Sequence, residues 1–180
     1  MLNDSTASLH IETQRLIIRR FSETDGDAFL DIFSDPATCS DDGDYAPFTV
    51  RDAAFDELMQ RFALDPARYA IVLRETGVMI GVLHLMEPLI RRAVPAVEIG
   101  YCIHRDHRRR GLATEAVGAL TDALHDKCGY RLVLAGAYAF NRASIGLLEK
   151  LGFVREGVTR LEANHSVHGL TDMINFYHER

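Results

Sequence analysis

Apolar residues recur along the chain with two periods, and each period predicts one kind of element. In segment 24–33 the apolar side chains, Phe29 and Phe33 among them, fall on one face at helical spacing. Segment 14–21 instead holds a short apolar run that is typical of a strand. The predicted helices are 24–33, 51–64, 112–127 and 141–151, and the predicted strands are 14–21, 69–74, 78–86, 97–103, 131–135, 157–159 and 170–177.

Turn signals divide these elements and indicate the fold class. Segment 34–48 is rich in Asp, Pro and Gly, and 87–95 contains two prolines, so both are predicted to be loops. A short turn that ends in Gly77 joins two strands and predicts a hairpin. The order is helices, then a hairpin, then alternating strands and helices, which predicts a mixed α/β layer with helices on both faces. The 180 residues hold no repeat, so we expect one domain over 1–180.

Composition is that of an ordinary globular protein, with 47% hydrophobic and 26% charged residues. No apolar run approaches the ~20 residues that a membrane helix needs. The first ten residues are polar and lack a signal-peptide core, so we expect a cytoplasmic protein with no membrane partner. The three cysteines, Cys39, Cys102 and Cys128, are far apart, which indicates neither a disulfide framework nor a zinc site.

Charge is unevenly placed along the chain. The net charge of −6 argues against a nucleic-acid partner, because such proteins usually carry a basic domain. Acidic residues gather at 41–44, whereas basic residues gather at 105–110. Separate patches of opposite charge suit a protein that holds an anionic ligand at one and a cationic ligand at the other.

The basic patch lies where a predicted strand leads into a predicted helix. A helix start offers unpaired N–H groups and a partial positive charge, and Gly111 lets a bulky ligand approach the backbone. The turn therefore predicts a site for the diphosphate of a nucleotide-bearing cofactor. A solvated basic loop is the alternative interpretation. The predicted contacts are Arg108, Arg109, Arg110, Gly111, Leu112 and Ala113.

Several motifs lie around this turn in a fixed order. They are R-x-x-G-x-A from Arg108, T-E-A from Thr114, N-x-x-S from Asn141, L-G-F from Leu151, E-G from Glu156 and T-x-R-L-x-I-R from Thr13. Together they resemble the GCN5-related N-acetyltransferase (GNAT) superfamily, in particular its Rim-type branch of ribosomal-protein N-terminal acetyltransferases. One departure is Arg109, where branch members often carry Gly.

The resemblance implies a donor, a reaction and a fold. The donor is acetyl-CoA, and the acetyl group passes directly to a primary amine of a small molecule, peptide or protein. The fold is a mixed, mostly antiparallel sheet with a splayed central strand pair. The pantetheine arm enters the gap and pairs with the backbone of Tyr101, Cys102 and Ile103. Asn141 matches a cofactor-contacting asparagine, and its alternative interpretation, a helix N-cap, is compatible with that role.

The same resemblance identifies candidate catalytic residues. An attacking ammonium must lose a proton. A glutamate that serves this purpose elsewhere in the superfamily is replaced by Gly136, so Glu98 is the candidate base, with an edge carboxylate paired to an arginine as the alternative. A tyrosine that many relatives use as the acid is replaced by Leu148. Ser144 is expected to hydrogen-bond the departing thiolate, although it is also a plausible first-turn helix residue.

Histidines supply no further site on sequence grounds. His104 and His107 are spaced almost like metal ligands, and so are His165 and His168, but neither pair comes with carboxylates or cysteines at suitable offsets. We expect no metal. His84 either faces the amine pocket or is an ordinary core or surface histidine.

The resemblance also indicates where the acceptor binds. In the family, the loop between the first two helices forms part of the acceptor pocket, and here it contains Asp41, Asp42, Asp44 and Tyr45. Carboxylates there favour a cationic acceptor, such as a peptide N-terminus near basic residues or a polyamine-like amine. A solvated acidic loop is the alternative. A second hypothesis for the chain is a non-catalytic acyl-CoA-binding regulatory module. A homodimer is the expected assembly if the protein associates.

Overall fold

A single sheet organises the described part of the chain in the computed structural model, which covers residues 4–43, 46–88, 91 and 93–180. The strands within it are β1 (Ile11–Glu12), β2 (Leu16–Arg20), β3 (Arg68–Leu73), β4 (Met79–Met86), β5 (Ala96–Ile103), β6 (Leu132–Tyr138), β7 (Val154–His165) and β8 (Gly169–Glu179). The helices are α1 (Asp4–Ala7), α2 (Gly26–Phe33), α3 (Pro36–Asp42), α4 (Ala53–Leu64), α5 (Leu112–Asp126) and α6 (Arg142–Lys150).

The sheet is antiparallel except at its centre. Its order is β1-β2-β3-β4-β5-β6-β8-β7, and only β5 and β6 run parallel among the described strands. Their pairing is confined to 96–98 of β5 and 132–134 of β6. Beyond this point β5 stays paired with β4 as far as Ile103, and β6 stays paired with β8 as far as Tyr138. The two central strands therefore separate and open a gap in the sheet, which confirms the predicted splayed pair.

Two hydrophobic clusters cover the two faces of the sheet. One packs α5 and α6 against the sheet through residues such as Leu120 and Leu148. The other packs α2, α3 and α4 through residues such as Phe33 and Met59. Strand β5 contributes side chains to both clusters, because successive side chains of a strand point to opposite faces. The predicted mixed layer with helices on both faces is confirmed.

The structure differs from the prediction at α3, which lies inside the predicted loop 34–48. Asp35 and Pro36, which are typical of loops, here mark the start of a helix. The Asp35 carboxylate accepts a hydrogen bond from the backbone N–H of Thr38 at 3.0 Å, and Pro36 occupies the first helical turn. The segment that contains Asp41 and Asp42 is thus the end of a helix, and Asp44 and Tyr45 lie outside the described residues.

The last hairpin is also longer than predicted. The predicted strand 157–159 is part of β7, and its partner β8 reaches Glu179. Because β7 lies at the edge of the sheet, most of its side chains are exposed and its sequence lacks the apolar run of a buried strand. None of the described helices has the length and apolar character needed to cross a lipid bilayer.

Candidate active site

A cleft of about 790 Å³ opens where β5 and β6 separate. Helix α5 begins at one end of it, and α6 borders it on the β6 side. The cleft brings together every predicted site residue except Arg110, namely Glu98, Tyr101, Cys102, Ile103, Arg108, Arg109, Gly111, Leu112, Ala113, Asn141 and Ser144.

The turn before α5 has the backbone of an anion site. Arg109 and Gly111 both adopt left-handed conformations, with φ values of 60° and 75°. Gly111 is the N-cap residue, and no side chain caps the helix there. The first N–H groups of a helix have no partner within it, so those of α5 point toward the cleft end with the positive end of the helix dipole.

The N-terminal segment holds this turn in place. The Arg15 guanidinium donates to the Glu115 carboxylate at 2.6 Å and to the Arg110 carbonyl oxygen at 2.9 Å. The Thr13 hydroxyl donates to the same carboxylate at 2.6 Å. These contacts lower the pKa of Glu115 although its partial burial opposes them, so the group stays ionised. The two motifs that contain Thr13 and Glu115 thus meet in space.

Arg108 binds protein groups with its guanidinium. It donates to the Ile103 carbonyl oxygen at 3.0 Å and to the Thr38 hydroxyl at 2.8 Å, and it lies 3.4 Å from the Asp41 carboxylate. This side chain therefore fastens the turn to α3. Arg110 lies outside the cleft lining, with its guanidinium 3.4 Å from Nδ1 of His107.

Asn141 caps α6 in the way the alternative interpretation predicted. Its Oδ1 accepts a hydrogen bond from the backbone N–H of Ser144 at 3.0 Å. Since only the oxygen is used by this bond, the cap leaves the amide nitrogen of Asn141 available at the cleft.

The hydroxyl groups of Tyr101 and Ser144 lie 2.8 Å apart in the cleft. Burial raises the pKa of Tyr101 to about 12, so the phenol is protonated at neutral pH. Leu148 is fully buried at the position where many relatives carry a tyrosine. A tyrosine from β5 thus lies next to Ser144 from the opposite wall. The sequence identified Tyr101 only for its backbone, because the pairing depends on how α6 packs over the gap.

Glu98 lies at the point where the β5–β6 pairing ends. Burial raises the pKa of its carboxyl group, and the negative charge of Glu162 adds to the shift. No arginine in the described residues forms an ion pair with Glu98, which contradicts the alternative of a carboxylate paired to an arginine. A half-buried carboxylate of raised pKa is a better proton acceptor than an ordinary one.

His84 also reaches the cleft, on the same face as Glu98. It pairs across strands with Gly100, and a side chain at Gly100 would overlap the imidazole ring. Burial lowers the pKa of His84 to about 4, and the nearby positive charge of Arg68 contributes, so the ring is neutral at physiological pH. The glycine at position 100 is the signal that would have identified a large side chain facing it.

Cys102 lies in the core of the sheet face that carries α2, and burial raises its thiol pKa well above the ordinary value. The thiol is therefore protonated, which fits a small strand residue better than a nucleophile. No group of three or more potential metal ligands occurs among the described residues. His104 and His165 have protein partners instead. His104 lies 3.3 Å from Asp31, and His165 lies 2.9 Å from the Ser40 hydroxyl.

Comparisons with known proteins agree with this geometry. Residues 15–154 match the sequence profile of the Acetyltransferase (GNAT) domain. The chain is 31% identical over 157 residues to the uncharacterized N-acetyltransferase YoaA of Bacillus subtilis, covering 83% of this chain and 85% of that protein. Among solved structures, a GNAT-family acetyltransferase from Bacillus anthracis superposes with a TM-score of 0.81 at 19% identity, over 95% of this chain and 98% of that chain.

Another similar structure is the spermidine N-acetyltransferase of Vibrio cholerae, solved with CoA and spermine. It superposes with a TM-score of 0.77 at 20% identity, over 93% of this chain and 96% of that chain. The ribosomal-protein-S5-alanine acetyltransferase of Vibrio fischeri has the same TM-score at 19% identity, over 96% and 97%. At such identities these structures establish the fold alone.

Proposed function

The chain belongs to the GNAT acetyltransferase family and is an N-acetyltransferase, and from that premise we propose that it transfers acetyl from acetyl-CoA directly to a primary amine. The observation that carries the proposal is the course of the cleft. It runs from the uncapped start of α5, along the unpaired edge of β5, to the half-buried carboxylate of Glu98. An elongated donor with a diphosphate at one end and a thioester at the other fits this course.

The turn before α5 is the proposed diphosphate site. Backbone N–H groups from Arg109 to Ala113 would hold the oxygens, and Arg109 and Arg110 would add positive charge. Arg108 contributes by fixing the turn, because its guanidinium already binds Thr38 and Ile103. Leu112 is buried and would contribute only its backbone.

The gap between the central strands is the proposed site of the pantetheine arm. Past Glu98, β5 has no partner on its β6 side. We propose that an extended ligand pairs with the backbone in the stretch Tyr101, Cys102 and Ile103, where the Ile103 carbonyl oxygen already accepts a hydrogen bond from Arg108. An added strand of this kind gains main-chain hydrogen bonds. The amide nitrogen of Asn141 lies on the opposite wall and would contact the same arm.

Glu98 is the proposed base. Its carboxylate would accept a proton from the acceptor's ammonium group, directly or through one water, and the free amine would then attack the acetyl carbonyl carbon. The carbon–nitrogen bond forms as the carbon–sulfur bond breaks, and the second proton lost by the nitrogen passes to the leaving thiolate, which gives the amide and the free thiol of CoA. Ser144 would donate a hydrogen bond to the departing sulfur, and Tyr101 would orient the Ser144 hydroxyl. Acetyl-CoA supplies the activated thioester.

An assay of free thiol tests the proposal. The protein is mixed with acetyl-CoA and a panel of small amines and peptides, and release of CoA is followed by a thiol reagent. Release that depends on the acceptor supports acetyl transfer. CoA binding without release for any acceptor would instead favour the non-catalytic acyl-CoA-binding module, which the residues at 136 and 148 motivate.

The finer features of the prediction stay proposals. Two of the similar structures belong to enzymes named for spermidine and for alanine of a ribosomal protein, so both small amines and peptide N-termini belong in the panel. A cytoplasmic location, a single domain and a homodimer likewise stay predictions.

A further inference from the structure

A second cavity, of about 390 Å³, adjoins the cleft on the face of the sheet that carries α2 and α4. Asp42 and His84 line both cavities, so the two meet at these side chains. The second cavity is mainly aromatic, with walls formed by Phe21, Phe29, Phe33, Phe48 and Phe62. We call it the phenylalanine pocket.

The border between the two cavities suits a primary amine. Glu98 and His84 lie on the same face of neighbouring strands, because Glu98 pairs with Met86 and His84 pairs with Gly100. The negative charge of Asp42 acts on this region, since it raises the pKa of the Cys102 thiol. His84 is neutral and does not repel an ammonium group. Two carboxylates therefore attract the cation at the border.

The phenylalanine pocket itself is unsuited to a second cation. The Arg68 guanidinium lies 3.8 Å from the centre of the Phe62 ring and lines the pocket, with its Nε 3.2 Å from the Asp65 carboxylate. A polyamine placed with one amine at Glu98 would bring its next ammonium group toward Arg68 and apolar walls. Like charge and lost hydration both oppose that placement. An aromatic or aliphatic group would instead bury apolar surface there.

We infer that the phenylalanine pocket holds the side group of the acceptor, and that the preferred acceptor is a primary amine joined by a short link to an aromatic or large aliphatic group. The inference rests on the proposed acetyl transfer and deepens it by naming the acceptor class. A small arylalkyl amine and a peptide whose first residue is bulky and apolar share this chemistry. Both would place an apolar group in the pocket and an amine at its border, and the assay distinguishes the two sources.

The test compares matched acceptors in the thiol-release assay. Phenethylamine is compared with ethylamine and spermidine, and a peptide beginning with Phe is compared with one beginning with Gly. We expect kcat/KM to be at least about 30-fold higher for the member that carries the ring, because burying a phenyl group removes its surface from water. A preference for the ring within either set supports the pocket. The set that shows the preference identifies the source.

A variant in which a larger side chain fills the phenylalanine pocket should lose the preference for acceptors that carry the ring. Val82 lies on β4 and lines the phenylalanine pocket but not the cleft. Val82→Phe should lower the ratio of kcat/KM for phenethylamine over ethylamine by about tenfold. Val78→Phe is the matched control, because Val78 is 51% exposed and lines neither cavity. Ala46→Trp, at an exposed position of the pocket wall, is a second filling variant if Val82→Phe does not fold.

The outcomes separate the inference from the proposed function. Equal kcat/KM with and without the ring in both the amine set and the peptide set, or a preference for spermidine over the acceptors that carry the ring, would overturn the aromatic subsite while leaving acetyl transfer intact. A ratio that neither filling variant changes would also overturn it. Absence of thiol release with every acceptor would overturn the proposed function, and the inference with it.

Discussion

The hydroxyl groups of Tyr101 and Ser144 form a 2.8 Å hydrogen bond across the gap between the central strands. One residue belongs to β5 and the other to α6, so this contact joins the two walls of the cleft. The phenol keeps its proton at neutral pH because burial raises its pKa to about 12. When the phenol donates to the Ser144 oxygen, the serine keeps its own proton for another acceptor.

Ser144→Ala should therefore lower kcat more than it lowers CoA affinity. Loss of one hydrogen bond to a developing charge costs about 1.5–3 kcal/mol, which is roughly a 10- to 100-fold fall in kcat. Tyr101→Phe should cost less, since it removes only the orienting partner. Steady-state kinetics of both single variants and the double variant provide the check. If Tyr101 acts through Ser144, Tyr101→Phe will have little further effect when Ser144 is already alanine.

Glu98→Gln should slow acetyl transfer and change its dependence on pH. The raised pKa means that wild-type Glu98 takes up a proton as pH falls through a value above the ordinary glutamate range. The base is then lost, so kcat/KM falls with decreasing pH. Glutamine should slow turnover by about 10²-fold or more and abolish that part of the acid limb. An unchanged profile in the variant would assign the proton to the acceptor or to solvent.

Gly111→Glu should abolish stabilisation of the fold by CoA. Gly111 has a positive φ of 75°, and a carboxylate beside the anion site would repel the diphosphate. Gly129→Glu is a matched control because Gly129 has a φ of 71° and does not line the cleft. Both changes should cost about 1–2 kcal/mol of backbone strain. Thermal unfolding without CoA measures the strain that both variants share. Thermal unfolding with CoA then measures the loss of CoA binding that is specific to Gly111→Glu. An equal response to CoA in both variants would refute the diphosphate site.

Gly100→Ala should destabilise the protein through His84. A methyl group there would overlap the imidazole ring, and overpacking of this kind typically costs about 1–3 kcal/mol. His84→Ala should relieve the clash, so the double variant should be more stable than the sum of the two single changes predicts. Urea unfolding of the four proteins measures this coupling. Additive changes would show that Gly100 is required for another reason.

The sequence predicted those parts of the molecule that depend on local backbone. The turn at Gly111 was predicted because a helix start and a glycine are adjacent in the chain, and the structure shows both there. Contacts between distant residues were not predicted. The Tyr101–Ser144 pair and the fit of His84 over Gly100 depend on strand register and helix packing, which residue spacing does not encode.

The missed helix α3 has a different cause. Asp35 and Pro36 are common both in loops and at the starts of helices, and only the hydrogen bond from the Thr38 backbone to Asp35 distinguishes the two cases. A short helix with few apolar residues has too few apolar positions for a helical period to be recognised in the sequence. The sequence therefore predicts a loop for the acidic segment, whereas Asp41 and Asp42 belong to the end of α3 and Asp41 lies 3.4 Å from the Arg108 guanidinium.

Because the Arg108 guanidinium is occupied by Thr38, Ile103 and Asp41, it neutralises little of any charge brought to the turn. Attraction of the donor then depends on backbone dipoles and on two exposed arginines, Arg109 and Arg110. Backbone dipoles act at contact distance, where dissolved ions screen them weakly. The contribution of the two exposed arginines to donor affinity should fall as ionic strength rises, whereas the backbone contribution should persist. Removal of Arg108 should instead loosen α3 and the turn together, because its guanidinium binds both.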